Sequence, residues 1–374
     1  MNDNFNKLKI LEIAFNLYPF IKYGGLEKHV YYLTKEFEKK AKVKIIICTN
    51  SRTKIDLDVI KVPNIKLPLF KGLIFLFFSL IYIFYLRITR QINIIHIHGA
   101  NLTNWPIILL SKFFRLKTFL TIHGEPSNSK FNLIFKKYLD SFDGIICVSK
   151  HLKNKIKKSY RNVETPIIVI PNGILLENIK FIKKDILEAK NWLHKNFCTG
   201  KLNVFYVGRM IKEKGIMDIV EISKKMPDIQ FFLGGTGPLE PKIREVSNSI
   251  KNLTVLGFVK EDELKKFFLS CDICIFPSHR EAFGIVILEA MAYGKPIIAS
   301  RTGGIVDTLS NNTGILVEPK NINEFINSIR KLESEKIRKT FSKKSLKRVK
   351  EFTWQKIATR TLYFLNLIIS PHTQ

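Results

Sequence analysis

Two α/β domains, each built on a parallel β-sheet with helices on both faces, are predicted by three features of this sequence. Short, almost unbroken apolar runs recur with helix-length segments between several of them. The pattern stops at a polar stretch after residue 173 and restarts at KLNVFYVG, residues 201–208. At 374 residues, 46% of them apolar, the chain also exceeds what one hydrophobic core usually covers. A strand covered on both faces has no solvent side to alternate with, so it reads as continuous Val, Ile, Leu and Phe.

In order, LKILEIAF reads as a strand, NLYPFIKYGG as a turn-prone loop and the stretch from Leu26 to Lys40 as a helix. KVKIIICT, NIIHIHG, KTFLTIHG and DGIICVS are further strands, and the first domain is placed at residues 1–170. The second, residues 171–352, takes the strands KLNVFYVG, IQFFLGG, NLTVLGF, DICIFPS and KPIIAS, each ending where a ligand-facing loop can begin. The remaining residues, 353–374, contain WQKIATRTLYFLNLI, a helix long enough to cross back onto the first domain.

Lysine and arginine number 61 against 32 aspartates and glutamates, a formal charge of +29. That excess favours anionic partners, whether nucleic acid, acidic lipid or a phosphorylated substrate, without choosing among them. The cysteines, at 48, 147, 198, 271 and 274, fall mostly in apolar runs, where Cys acts as a small buried hydrophobe. Cys271 and Cys274 have redox-pair spacing, yet they lie in a strand and lack the second pair a zinc site needs. Reduced thiols and no bound metal are expected. The start, MNDNFNKLKILEIAF, has acidic residues and no signal-cleavage pattern, so a cytoplasmic protein is expected. Gly72 to Leu86 is uncharged, but its 15 residues fall short of the ~20 of a membrane-spanning helix. With Lys66, Lys71, Arg87 and Arg90 flanking it, the segment reads either as a buried helix or as a shallow helix seated on an anionic membrane; a span comes third.

Chemistry concentrates in the second half. Gly208-Arg209 ends a strand and Lys214-Gly215 follows in VGRMIKEKG. A diphosphate needs its charge matched by Arg or Lys and by backbone N–H groups, which a strand-end loop entering a helix presents; solvated surface charge is the plain alternative. Gly234-Gly235-Thr236-Gly237-Pro238 follows IQFFL, so backbone can approach a ligand with no Cβ in the way, although a tight turn would use the same glycines. The dinucleotide fingerprint and the P-loop pattern are both missing. In PSHREAFGIVILEAMAYGKPIIASRTGG, residues 277–304, Glu281 and Glu289 stand with seven residues between them. On one continuous helix their Cα atoms would lie roughly 12 Å apart, beyond the ~5–9.5 Å of paired glycosidase carboxylates. The spacing suits contacts at opposite ends of one elongated ligand. Glu289, set in IVILEAMA, needs a ligand or a buried partner, because an unpaired charge there is costly. Gly303-Gly304 follow the next strand and are expected to turn further N–H groups toward phosphate.

The combination of VGR, KG, GGTGP, LGF, EAFGIVILE and TGG resembles the retaining glycosyltransferases of family 4, over nearly the whole chain from Gly24-Gly25 to the last helix. The resemblance implies two facing Rossmann-like domains of the GT-B type with a nucleotide-sugar cleft between them. It implies that Glu281 contacts donor-sugar hydroxyls, that Glu289 binds the ribose, and that Arg209 and Lys214 hold the diphosphate. Backbone amides at Phe283, Gly284 and Ile285 would assist, and Gly235, Gly237, Gly303 and Gly304 complete the expected donor-binding set. In the amino half, Gly24-Gly25 resembles the family's mobile loop near the donor phosphate, and His123 of TIHGE its first-domain active-site histidine. His98 is a weaker candidate on the acceptor side. Asp307 stands where many relatives have Glu.

The chemistry expected from these positions is transfer of a hexosyl group, with fixed positive charge at Arg209 and Lys214 stabilising the departing nucleotide diphosphate. No metal is then required, and the one D-x-D sequence, Asp56-Leu57-Asp58, lies outside the donor constellation. No carboxylate is placed as a covalent nucleophile, and family analogy favours front-face substitution. The donor is expected to be a UDP-sugar, with GDP-mannose possible, and the acceptor a glycan or a lipid-linked sugar. No other cofactor and no nucleic acid are expected. The alternatives are an NDP-sugar epimerase, a sugar phosphorylase, or a basic membrane or nucleic-acid scaffold that would have no use for Glu281 and Glu289.

Overall fold

The computed structural model describes residues 5–18, 25–64, 68–125 and 132–369. The chain divides into two units, Met1–Gly173 together with Trp354–Gln374, and Ile174–Thr353. The first unit runs β1 (Lys9–Ile13), α1 (Gly25–Glu38), β2 (Lys42–Cys48), β3 (Val59–Val62), α2 (Pro68–Ile88), β4 (Ile94–His98), α3 (Trp105–Phe113), β5 (Lys117–Ile122), α4 (Asn132–Leu139), β6 (Gly144–Cys147), α5 (Lys150–Ser159) and β7 (Ile167–Val169). Its sheet has the order β3-β2-β1-β4-β5-β6-β7, all parallel. Strand β4, Ile-Ile-His-Ile-His, is buried along its whole length. Apolar residues explain three of those positions, whereas the two histidines require polar partners inside the sheet.

The second unit runs α6 (Lys183–Asn196), β8 (Leu202–Val207), α7 (Ile216–Lys225), β9 (Ile229–Gly234), α8 (Glu240–Ser247), β10 (Leu253–Gly257), α9 (Glu261–Ser270), β11 (Ile273–Phe276), α10 (Ile285–Ala292), β12 (Ile297–Ser300), α11 (Ile305–Thr308), β13 (Ile315–Val317), α12 (Ile322–Lys331) and α13 (Glu335–Arg348). Its sheet is β10-β9-β8-β11-β12-β13, again parallel. The last helix, α14 (Trp354–Ile369), packs in the first unit. There Phe364 meets Phe119 of β5, and Thr359 accepts a hydrogen bond from Lys40 at 2.9 Å.

A parallel sheet wound in both directions has a point where the strand order reverses. Loops leaving the carboxyl ends of the two strands there diverge and open a crevice. That point falls between β1 and β4 in the first unit and between β8 and β11 in the second.

Helix α2 corrects two sequence expectations. It spans 21 residues rather than the uncharged 15, because Pro68 to Lys71 and Arg87 to Ile88 continue it. From Phe70 to Ile88 it is long and apolar enough to cross a membrane by length and composition alone, yet only 22% of it is buried. It is therefore no core helix. Phe75, Ser79, Ile83 and Leu86 pack inward, while Phe70, Leu73, Phe77, Ile81, Phe84 and Ile88 form an exposed stripe at helical spacing. Strands β3 and β4, which it joins, belong to one sheet, so the helix lies along that sheet as a crossover. The exposed Leu109 and Phe113 of α3 add to the apolar surface, and Arg90, Lys112 and Arg115 are exposed around it. Lys71 lies over the Phe15 ring at 4.7 Å. Lys66 falls outside the described residues.

Candidate active site

In the second unit the loops at the switch point carry the residues singled out in the sequence. Arg209 follows β8 and is exposed; among the described residues its guanidinium makes no ion pair. Tyr206 donates its hydroxyl to the Arg209 carbonyl at 3.1 Å, and burial pushes that phenol's pKa up, keeping it a donor. Lys214 and Glu281 meet directly in an ion pair, with side chains 24% and 13% exposed. Their loops are fastened to each other: the amides of His279 and Arg280 donate to the Glu213 carbonyl at 2.8 and 3.2 Å. His279 is itself held by Asp218 at 2.8 Å.

The glycines of this region are structural clamps. A Cβ on Gly215, whose φ is +63°, would stand 1.9 Å from the Pro277 carbonyl oxygen. One on Gly235 would stand 1.9 Å from the Gly208 oxygen, and one on Gly237 2.5 Å from the Met210 oxygen. On Gly303 and Gly304 it would stand 1.7 and 2.2 Å from the Glu281 and Ala282 oxygens. No real Cβ approaches a carbonyl so closely, so only glycine lets these loops pack backbone to backbone. Two amides expected to face phosphate are consumed inside the protein: Gly235 donates to Gly257 at 2.6 Å and Gly304 to Glu281 at 2.9 Å. Gly234 to Pro238 thus braces the loop bearing Arg209, and Gly303-Gly304 braces the loop bearing Glu281.

The helix geometry of the Glu281–Glu289 segment also differs from a continuous helix. Helix α10 begins at Ile285, and Gly284 before it has φ +85°, a left-handed conformation that sets Glu281 in a loop and half-buried Glu289 on the helix. Phe283, Gly284 and Ile285 therefore stand at a helix start, where first-turn amides lack intrahelical partners and the dipole is positive. Arg301 pairs with Glu318 at 3.0 Å, and the Asp307 carbonyl accepts from Arg348 at 3.2 Å. Asp58 of the D-x-D sequence pairs with Lys44 at 2.5 Å, while Asp56 is 91% exposed beside Lys35.

The first unit holds a second constellation that sequence reasoning mostly missed. Glu12 of β1 is wholly buried and opposite His96 in the parallel register, with His98 two residues on along the same face. The Glu12 carboxylate accepts from His96 Nδ1 at 3.1 Å and from His98 Nε2 at 2.5 Å. Burial alone would raise its pKa, but the two imidazoles outweigh burial and bring it to about 2. His96 Nε2 lies 2.7 Å from Thr121 Oγ1, and His98 Nδ1 lies 3.3 Å from His123 Nε2. His29 of α1 stacks edge-on against His123, ring centres 4.4 Å apart, and against Trp354 at 5.2 Å. Its Nδ1 meets Asn172 Oδ1 at 2.6 Å, while its Nε2 is buried without a partner among the described residues. Burial, before any other cause, holds His29, His98 and His123 below the usual imidazole range, so all three are neutral. Glu12, His96 and His98, and likewise His29, His98 and His123, are groups of the kind that can hold a metal ion, with ligand atoms within 4.8 Å of one another. A signal for this cluster existed: Glu12 interrupts the apolar run LKILEIAF as Glu289 interrupts IVILEAMA. Gly25 opens α1 and is exposed; Gly24 lies outside the described residues.

Both units are Rossmann-like parallel-sheet domains, the GT-B type of fold. The chain belongs to the glycosyltransferases: residues 23–178 match Glycosyltransferase Family 4, and residues 192–348 match Glycosyl transferases group 1. An uncharacterized glycosyltransferase of Methanocaldococcus jannaschii is 30% identical over 91% of this chain and 93% of its own. The capsular polysaccharide biosynthesis glycosyltransferase CapM of Staphylococcus aureus is 30% identical over 59% of this chain and 62% of its own. Among solved structures, Anabaena HepE in complex with UDP and glucose superposes with a TM-score of 0.76 at 18% identity, covering 96% of this chain and 99% of that one. Membership among the transferases supersedes the epimerase, phosphorylase and scaffold alternatives.

Proposed function

We propose that this glycosyltransferase moves a hexosyl group from a nucleotide-sugar, with a UDP-sugar favoured over GDP-mannose, to a glycan or lipid-linked acceptor with retention of anomeric configuration and without a metal. The observation that carries the reading is the convergence of Arg209, the Lys214–Glu281 pair and the start of α10 on the loops after adjacent strands β8 and β11. A diphosphate arriving there competes with Glu281 for Lys214. As Lys214 turns to phosphate oxygen, Glu281 is released to accept from sugar hydroxyls. Arg209 and the amides of Phe283, Gly284 and Ile285 match the remaining phosphate charge, which grows as the glycosidic bond breaks and so is stabilised most in the transition state. Glu289 accepts from the ribose hydroxyls, and His123 meets a sugar hydroxyl. The leaving phosphate takes the acceptor proton on the face from which it departs. The HepE complex with UDP and glucose, on the same fold, supports the preference for UDP, and CapM supports polysaccharide assembly as the setting.

The apolar stripe of α2 with its basic surroundings supports a peripheral position on the cytoplasmic face of an anionic membrane, where a lipid-linked acceptor resides. A panel of UDP-, GDP- and ADP-sugars, scored for nucleotide release with and without polyprenyl-phosphate-linked sugars in vesicles, tests the reading. Release from a UDP-sugar, stimulated by a vesicle-borne acceptor and unaffected by chelator, is expected. Release abolished by chelator would refute the metal-free mechanism, and no release from any donor would refute the donor assignment.

A further inference from the structure

A buried carboxylate is an acceptor only, and Glu12 has two oxygens and two imidazole partners. Both partners must therefore point an N–H at it. A neutral imidazole has one N–H, so in a neutral ring that choice leaves the other nitrogen an acceptor. For His96 the consequence stays within the sheet, where its Nε2 lies 2.7 Å from the Thr121 hydroxyl. For His98 it runs outward. His98 Nδ1 is left with a lone pair, and the atom facing it at 3.3 Å is His123 Nε2, which must then carry the proton. His123 is left with a bare Nδ1.

We infer that Glu12, acting through His98, is a positioning residue that fixes His123 in the tautomer protonated on Nε2, so that Nδ1 accepts a hydrogen bond from a sugar hydroxyl. This rests on the reading of His123 as a group that touches a substrate. Two further observations agree. Burial disfavours the charged form of both His98 and His123, which excludes the doubly protonated rings that would erase the choice of tautomer. The Glu12 charge, fixed beneath the rings and shared with no Lys or Arg among the described residues, makes this face unwelcoming to phosphate oxygen. A hydroxyl that donates is the complementary ligand. Such a hydroxyl is carried by the donor sugar and by the acceptor sugar alike. The other neighbour of His123 is oriented in the same way: His29 gives its Nδ1–H to Asn172, which holds the ring edge-on against His123.

The test begins with the unaltered protein. Long-range proton–nitrogen spectra of histidine-labelled enzyme at pH 7.5, with His123 assigned through a His123→Gln variant, should show Nε2 protonated and Nδ1 bare. A His123 protonated on Nδ1, or on both nitrogens, would overturn the inference without any question of folding. Glu12→Gln then weakens the directional constraint at similar volume. The His123 signals should become a mixture of tautomers, and turnover should fall at least tenfold while UDP affinity, read by calorimetry, stays within twofold. A slower hydrolysis of UDP-sugar without acceptor would assign the hydroxyl to the donor; a defect confined to transfer would assign it to the acceptor. Turnover within twofold of the parent, or a matching loss of UDP affinity, would count against the proposal. So would a tightly held equivalent of zinc in the purified protein that is lost in His29→Ala, since the ring nitrogens would then be ligands. His123→Gln with full turnover would instead remove His123 from the substrate site, whatever its tautomer.

Discussion

Substituting Phe77 and Phe84 of α2 with serine should detach the protein from anionic vesicles while leaving the fold intact. The two rings are 59% and 51% exposed, so more than half of each faces away from the first unit's core. A phenylalanine presents ~150–250 Å² in all, so roughly 100 Å² per ring is available to lipid. At ~25 cal/mol per Å² that is about 2.5 kcal/mol per ring on full immersion, or about 5 kcal/mol for both. If the stripe reaches only half that depth, about 2.5 kcal/mol remains, a weakening of roughly 60-fold. Co-sedimentation of parent and variant with phosphatidylglycerol vesicles at low salt reads this directly. Thermal unfolding of the two proteins should differ little, because the lost contacts are mostly with solvent. The electrostatic part is separable: Arg90, Lys112 and Arg115, at ~1 kcal/mol each near an anionic surface, should make binding fall steeply on neutral lipid or in high salt. Binding by the variant equal to the parent's, or no binding by the parent, would refute α2 as the membrane contact.

Arg209→Ala should lower turnover by roughly 100-fold or more at saturating donor, with little change in stability, because the side chain is exposed and the proposed phosphate contact counts most in the transition state; steady-state kinetics of nucleotide release would show an unchanged rate if the assignment is wrong. Glu289→Gln should weaken UDP binding about tenfold in calorimetry with the fold retained, since the proposed ribose contact loses its charged acceptor. Resistance to urea should decline as pH falls below about 6.5: His29, His98 and His123 stay neutral in the fold but take protons in the unfolded chain, at up to ~1.4 kcal/mol per pH unit for each proton. A second loss should follow between the ordinary carboxylate pKa of 4.5 and about 2, where Glu12 remains ionised only in the fold. Equal urea midpoints at pH 7.5 and 5.5 would contradict the neutral cluster.

The parallel strands were legible in the sequence because a strand buried on both faces is apolar almost throughout, and GIIC, FFLG and ICIF carry that requirement openly. The donor-side loops were legible for a related reason: glycine and charge crowd strand ends only where loops must approach one another or a ligand. Strands β3 and β13, at four and three residues and at the sheet edges, gave no such signal, since edge burial is partial and short runs resemble loops. What the glycines do was decided by tertiary structure. The letters allow an N–H turned to phosphate, a missing Cβ that admits a carbonyl, or both, and the 1.7 to 2.5 Å approaches establish the second. The same holds for α2, whose composition suited a core helix, a span or a surface helix until the sheet claimed both strands it joins. Most dependent on the fold is the Glu12 cluster. Its members stand at 12, 29, 96, 98, 121, 123, 172 and 354, and what brings them together is strand register, which pairs Glu12 with His96 and His98 with Thr121. Sequence fixes which residues a strand can bury; register, set by the pairing of whole strands, fixes which buried groups meet.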